Sequence, residues 1–192
     1  MRALRSPTLP GGVCRDATGT VSVEFALLLP ILLTLFFGCF EASNLLLADL
    51  KVDDATETAA DLLGQTEIGY VLQTADFNNF TSAATEVLTP LPTAGTQLQL
   101  AFASVTYSTG SPVIDWHYEV NGASPITLAS IPTGLGTNST QDSVVVVHAQ
   151  YAYSSPVSYV LKWSYTLSST SYNRPRYVAC VPSFENKNSV CP

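Results

Sequence analysis

One feature constrains this chain more than any other: an apolar run, GTVSVEFALLLPILLTLFFGCF, at residues 19–40, with no charge from 25 to 40. The 21 residues from Thr20 to Phe40 rise about 31 Å as a helix, close to the hydrocarbon thickness of a bilayer. Residues 21–40 therefore read as a membrane span. Glu24 lies just inside it, where an unpaired carboxylate is expensive, so its retention points to function. Pro30 opens the helical ladder locally, a fault that membrane helices tolerate.

The flanking charges orient the span. Arg2, Arg5 and Arg15 precede it with Asp16 as the one acid, whereas Glu41, Asp49, Asp53 and Asp54 follow it with Lys51 alone opposing them. The positive-inside rule keeps the N-terminus cytoplasmic and sends the remainder across the membrane. Residues 1–19, basic and without hydrophobic periodicity, read as a leader. No apolar segment precedes Cys14, so a lipoprotein signal does not fit, and the residues after Phe40 offer no convincing Ala-x-Ala site. A net charge of −7 excludes a nucleic-acid partner on electrostatic grounds, because phosphate contacts need Lys and Arg. Charged residues make up only 12% of the chain, a composition typical of secreted or envelope proteins. Of four cysteines, Cys14 falls on the cytoplasmic side and Cys39 inside the span. Cys180 and Cys191 fall outside, in an oxidising space if that is a periplasm, and are expected to pair. By chain entropy such a short loop is worth a little under ~3 kcal/mol.

Past Glu41 the helical pattern continues to about Leu63 and stops at Gly64. Leu45, Ala48, Val52, Ala55, Ala59 and Leu62 recur at spacings of three and four, an apolar seam whose alanines admit a close neighbour. On another face Asp49, Asp53, Glu57 and Asp61 follow every fourth residue, and like charges at that spacing cost a few tenths of a kcal/mol per pair. The stripe is either a solvated face or the contact for a basic partner or a neighbouring subunit. The whole helix, about 45 residues and nearly 70 Å, is too long for an ordinary globular one.

From Gln65 the chain reads as a small α+β domain, residues 65–192. Asp76 is placed to cap a helix reaching Leu88, with Phe77, Phe80, Ala84, Val87 and Leu88 on one side and Pro90 beyond its end. Strands are expected at 97–107, 113–120, 143–153 and 158–167. In the second, Ile114, Trp116, Tyr118 and Val120 share one face, and Asp115, His117 and Glu119 the other. These strands suggest an antiparallel sheet packed against a helical face. The expected fold is thus α+β: a long N-terminal transmembrane helix, residues 20–64, continues as an amphipathic extension at 41–63 packed on that sheet.

Chemistry-bearing motifs are absent. His117 and His148 sit in strands without metal-ligand spacing, Gly134 and Gly136 lack a phosphate-loop setting, and no serine sits in a nucleophile elbow. No cofactor and no enzymatic activity are expected. Arg174 and Arg176 make a basic spot, either an ordinary surface turn or a receiver for a carboxylate of the acidic stripe.

Gly19 followed by Thr20-Val21-Ser22-Val23-Glu24-Phe25 resembles a type IV prepilin processing site. More narrowly, residues 19–30 resemble the TadE-like family, minor pilins or pseudopilins of the tight-adherence pilus system, and the resemblance covers about residues 16–62. It implies that a prepilin peptidase cuts between Gly19 and Thr20. It also implies that Glu24, with Phe25 beside it, serves assembly by neutralising the N-terminal ammonium of an adjacent subunit. The implied partners are the inner membrane, other pilin subunits with their assembly machinery, and the peptidase. The competing reading is an uncleaved single-pass membrane protein with a periplasmic binding or scaffold domain.

Overall fold

A computed structural model describes residues 17–107, 111–136, 142–155 and 164–184. It divides into two compact units, Met1–Phe40 and Glu41–Pro192. Helix α1, Ala17–Gly64, supplies elements to both. Every side chain from 21 to 40 is exposed, and this stretch is long and apolar enough to cross a membrane, with a mean hydropathy of 2.3. Pro30 lies inside the helix. It has no N–H to give to the carbonyl one turn earlier, while its own carbonyl also accepts from Thr34 Oγ1 at 2.8 Å.

In the second unit α1 turns amphipathic. Ala48, Val52, Ala55, Ala59, Ala60 and Leu63 are buried to 1% exposure or less. The expected seam thus holds through Ala59 but finishes on Leu63 rather than Leu62, which is only partly buried.

Helix α2, Thr74–Leu88, begins two residues before Asp76. Asp76 is therefore not the first cap but the third helical residue, and its Oδ2 accepts from the Gln73 backbone N–H at 2.8 Å. That is the reaching-back half of a capping box. Phe77, Ala84 and Leu88 are fully buried, with Phe80 and Val87 packed beside them.

Four antiparallel strands follow, β1 (Leu98–Thr106), β2 (Val113–Val120), β3 (Ser143–Ser154) and β4 (Ser164–Asn173), in the order β2-β1-β3-β4. The expected α+β architecture is what the structure contains. Three details differ from the sequence reading. First, β4 runs past the expected end at Leu167 to Asn173, paired residue by residue with β3 from Ser154↔Ser164 to Val145↔Asn173, while its expected start at 158–163 lies outside the described residues. Its second half, Ser168–Asn173, carries no apolar alternation because it is a partly exposed edge, and its Ser and Thr need only suit the pleat.

Second, the register between β1 and β2 shifts at Ser104/Val105, where Ser104 opposes Trp116 but Val105 opposes Ile114. Asp115 is the extra residue of a β-bulge, and a bulge changes which face the following side chains reach. Ile114 accordingly packs in a different cluster from Trp116, and Asp115 is buried instead of facing outward with His117.

Third, both faces of the sheet are covered. Leu98, Leu100, Phe102, Val145, Val147 and Tyr151 pack with the two helices. On the far side Ala101, Ala103, Val105, Tyr107, Val144 and Val146 lie with Ile126 and Ile131 of the connection after β2. That connection, with one 3-10 turn at Leu128–Ser130, is a second lid. It is tied down by Tyr107 Oη donating to Pro132 O at 3.1 Å and Tyr172 Oη to Ser130 O at 3.1 Å. A Cβ on Gly136 would fall 2.1 Å from the Tyr107 ring, so the lid closes there only over glycine.

The C-terminal stretch straps the domain. Trp116 Nε1 donates to Val181 O at 2.7 Å, and Leu72 exchanges backbone bonds with Pro182 and Phe184 at 3.0 and 3.1 Å.

Candidate functional site

The sequence places its candidate site at the N-terminal end of α1. Gly19 is exposed and helical, and a Cβ built on it would meet nothing within 4 Å. Glycine inside a helix is less favourable than alanine by roughly 1 kcal/mol, and no close packing here requires it. The fold therefore gives no reason for glycine at this position. Thr20 is helical. Glu24 is exposed and makes no hydrogen bond or ion pair among the described residues. Phe25 is 58% exposed and contacts no ring partner. Gly19, Glu24 and Phe25 thus share one property: all three are exposed, and Glu24 has no hydrogen-bond or ion-pair partner among the described residues.

The acidic stripe behaves differently along its length. Asp49, Asp53 and Glu57 are exposed. Asp61 is spent internally, on an ion pair with Arg176, on Asn173 Nδ2 at 3.3 Å and on Gln65 Nε2 at 2.7 Å. One arginine of the basic spot therefore takes a carboxylate of the stripe, within the same chain. Arg174 pairs instead with Asp142 at 3.0 Å and donates to Leu135 O at 2.9 Å. Arg176 thereby ties the stretch after β4 to helix α1, and Arg174 ties it to Asp142 and Leu135.

Cys180 is disulfide-bonded. Cys191, its expected partner, lies outside the described residues, as does Cys14. Cys39 is exposed on the apolar segment. His117 Nδ1 lies 2.6 Å from Glu119 Oε1, and His148 lies 2.8 Å from Thr170 Oγ1. Among the described residues no group of three or more His, Cys, Asp or Glu is arranged to hold a metal.

Sequence reasoning passed over three buried carboxylates, Asp115, Glu41 and the Asp142 that pairs with Arg174. Asp115 accepts from Thr106 Oγ1 at 3.1 Å and Ser104 Oγ at 3.4 Å. Burial pushes its carboxyl up to about 6, and the two hydroxyls hold it from going further. The Cys180 sulfur sits 3.6 Å from Oδ2, but a disulfide sulfur has no hydrogen to donate. Glu41 is 5% exposed, and its Oε1 accepts from Tyr153 Oη at 3.2 Å. Burial first, then the Glu41 carboxylate, push the Tyr153 phenol up to about 12. In the sequence Glu41 looked like one more flanking acid, and only its place between an apolar run and a seam residue, Ala48, hinted otherwise.

Residues 19–61 match the model of the TadE-like protein family, the family that the N-terminal motif resembles. No curated protein and no solved structure matches the chain significantly. The matched segment begins at Gly19, contains Glu24, and ends at Asp61, three residues before α1 does. The family is one of the tight-adherence pilus system, and the match supports a pilus-associated protein.

Proposed function

We propose that the chain is a minor pilin or pseudopilin, a structural and assembly component of a tight-adherence pilus used for surface attachment. It is held in the bacterial inner membrane by residues 21–40, with its N-terminus cytoplasmic and residues 65–192 periplasmic. A prepilin peptidase cuts after Gly19, which removes all three leader arginines and frees an ammonium on Thr20. In the bilayer Glu24 is a charge without a counterion. The incoming ammonium of a neighbouring subunit supplies one, and opposite charges attract strongly where water is scarce. Phe25 and the rest of the apolar surface then meet other subunits instead of lipid. The observation that carries this reading is the coincidence of the family match with Gly19 and Glu24, two exposed residues that packing among the described residues leaves unused.

N-terminal sequencing of the mature protein tests it. Thr20 as first residue supports processing, whereas Met1 supports the uncleaved single-pass anchor with a periplasmic scaffold domain. Gly19→Leu is expected to accumulate the longer precursor on an immunoblot with the domain still folded, since no neighbour contacts that position. Glu24→Ala is expected to leave processing intact and abolish incorporation into pili; normal incorporation would remove the proposed role.

A further inference from the structure

The sheet ends on two edges that are built differently. β2 carries the bulge at Asp115 and the pair His117–Glu119, and Trp116 Nε1 ties it to Val181 O of the C-terminal stretch. Bulges, charges and a covering segment are the devices that keep an edge strand from pairing with another chain. β4 has none of them. Its ten residues, Ser164–Asn173, hold no charge, no proline and no glycine, and they pair with β3 without a bulge from end to end. Ser164, Thr166, Ser168 and Thr170 are exposed, and among the described residues no strand pairs with the outer side of β4. A row of backbone N–H and C=O groups therefore stands open along about 30 Å.

Beside that edge stands the acidic side of α1. Tyr153, opposite Tyr165, bonds Glu41 near one end of β4, and Asn173 bonds Asp61 at the other, so α1 runs along the strand. A groove of about 400 Å³ lies between them, walled by Asp54, Glu57, Thr58, Asp61, Leu62 and Asn173. Asp61 is taken by Arg176, Asn173 and Gln65. The carboxylates of Asp54 and Glu57 are exposed and have no hydrogen-bond or ion-pair partner among the described residues. Lys51 and Arg174 are engaged elsewhere, Lys51 Nζ donating to Val87 O and Thr89 O and Arg174 pairing with Asp142. The open edge is thus flanked by negative charge that no described cation answers.

We propose that β4 takes a strand from a partner protein by β-augmentation, and that this strand carries lysine or arginine at alternate positions on the side facing α1. Backbone bonds to the open edge supply the pairing, and the added strand's side chains supply the selection. Alternate residues of a strand stand about 6.7 Å apart, and Asp54 to Asp61 rises about 10 Å on the helix, so two such cations reach the groove together. A second copy of this chain fits the edge poorly. Pairing β4 with β4 antiparallel needs a two-fold axis normal to the sheet. That axis keeps α1 on the same face in both copies and sets acid against acid across the seam. The inference rests on the second unit alone and holds whether or not Gly19 is cleaved.

The test reads the fluorescence anisotropy of a labelled peptide alternating valine and lysine, titrated with the full chain in detergent. The lysine peptide should bind, and its counterpart with glutamate for lysine should not. Asp54→Asn with Glu57→Gln should weaken binding about fivefold, the value of two exposed ion pairs. Both side chains are exposed, so this variant should keep the near-ultraviolet circular dichroism of the parent. Methylating one alternate set of the peptide's backbone nitrogens should abolish binding, and methylating the other set should leave it. Like behaviour of the two methylated peptides, both bound or both lost, would overturn the inference, because strand pairing uses only one set. No binding of the lysine peptide, equal binding of the glutamate peptide, or indifference to the double substitution would overturn it too. So would a dimer of the chain, seen by native mass spectrometry, that the peptide does not dissociate.

Discussion

Residues 21–40 and residues 48–63 belong to the same helix, yet they are built to opposite rules. The first stretch is apolar on all sides and wholly exposed within its own chain. The second is apolar along one stripe, and that stripe is buried almost completely. A helix that is hydrophobic all round needs an apolar surrounding, whereas one with a single stripe needs a neighbour on one side. The domain half finds its neighbours in the sheet and α2. The span half is exposed along its whole length and is apolar enough to cross a membrane.

Substitutions can break this contrast. Leu63→Ala should cost the domain about 2–5 kcal/mol, because a fully buried leucine leaves a cavity that its surroundings only partly refill. Leu28→Ala, 55% exposed at the start, should leave the same chemical unfolding transition where it was, measured in detergent by near-ultraviolet circular dichroism. An equal loss from both would mean that the span half is packed within its own chain after all.

Asp115 sharpens the contrast from the other side, since it is a charge inside the domain rather than inside a bilayer. Its folded value of about 6 stands above the ordinary 3.8, so the native state holds a proton that the unfolded state releases. The stability it contributes is present below about pH 4 and lost as pH rises through 6. Each unit of difference is worth about 1.4 kcal/mol, so Asp115→Asn should stabilise the domain at pH 7 by at most about 3 kcal/mol and flatten the decline between pH 4 and 7. Urea titrations at pH 4, 5.5 and 7 would read both. A variant no more stable than the parent at pH 7 would show the carboxylate to be well solvated.

The smallest effect should come from the ion pair between Asp61 and Arg176. Both side chains are partly solvated, at 37% and 54%, and exposed pairs are worth about 0–1 kcal/mol. Arg176→Ala should shift the unfolding midpoint slightly, and less still in 1 M salt. A large shift would mean that the arginine matters as a strap on the sheet rather than as a charge.

Legibility followed the same divide. The span, the seam from Ala48 to Ala59, and the paired strands could be read directly, because periodicity marks any surface that faces one environment. The end of the seam fell on Leu63 rather than its neighbour Leu62, a choice that spacings of three and four do not make. The bulge at Asp115 could not be read at all. One extra residue leaves the alternation of the flanking sequence intact while exchanging the faces of Ile114 and Asp115. The lid over the far face was equally hidden, because Ile126 and Ile131 stand among Gly, Pro and Thr with no periodic pattern. In the candidate site, Gly19 and Glu24 were legible as a motif long before any contact could be assigned to them. Glu41 was not, because burial of a lone acid is decided by Tyr153, more than a hundred residues away.

The C-terminal strap sets a schedule for synthesis. Trp116 waits for Val181, Leu72 for Pro182, and Asp61 for Arg176. The apolar helix, made first, can enter the bilayer while most of the chain is still unmade. The domain cannot close until the stretch from Arg176 to Phe184 has been delivered, long after the apolar helix. A chain truncated just before Arg174 would keep the apolar helix and all of β4, yet lack the residues that lock Asp61, Leu72 and Trp116 in place.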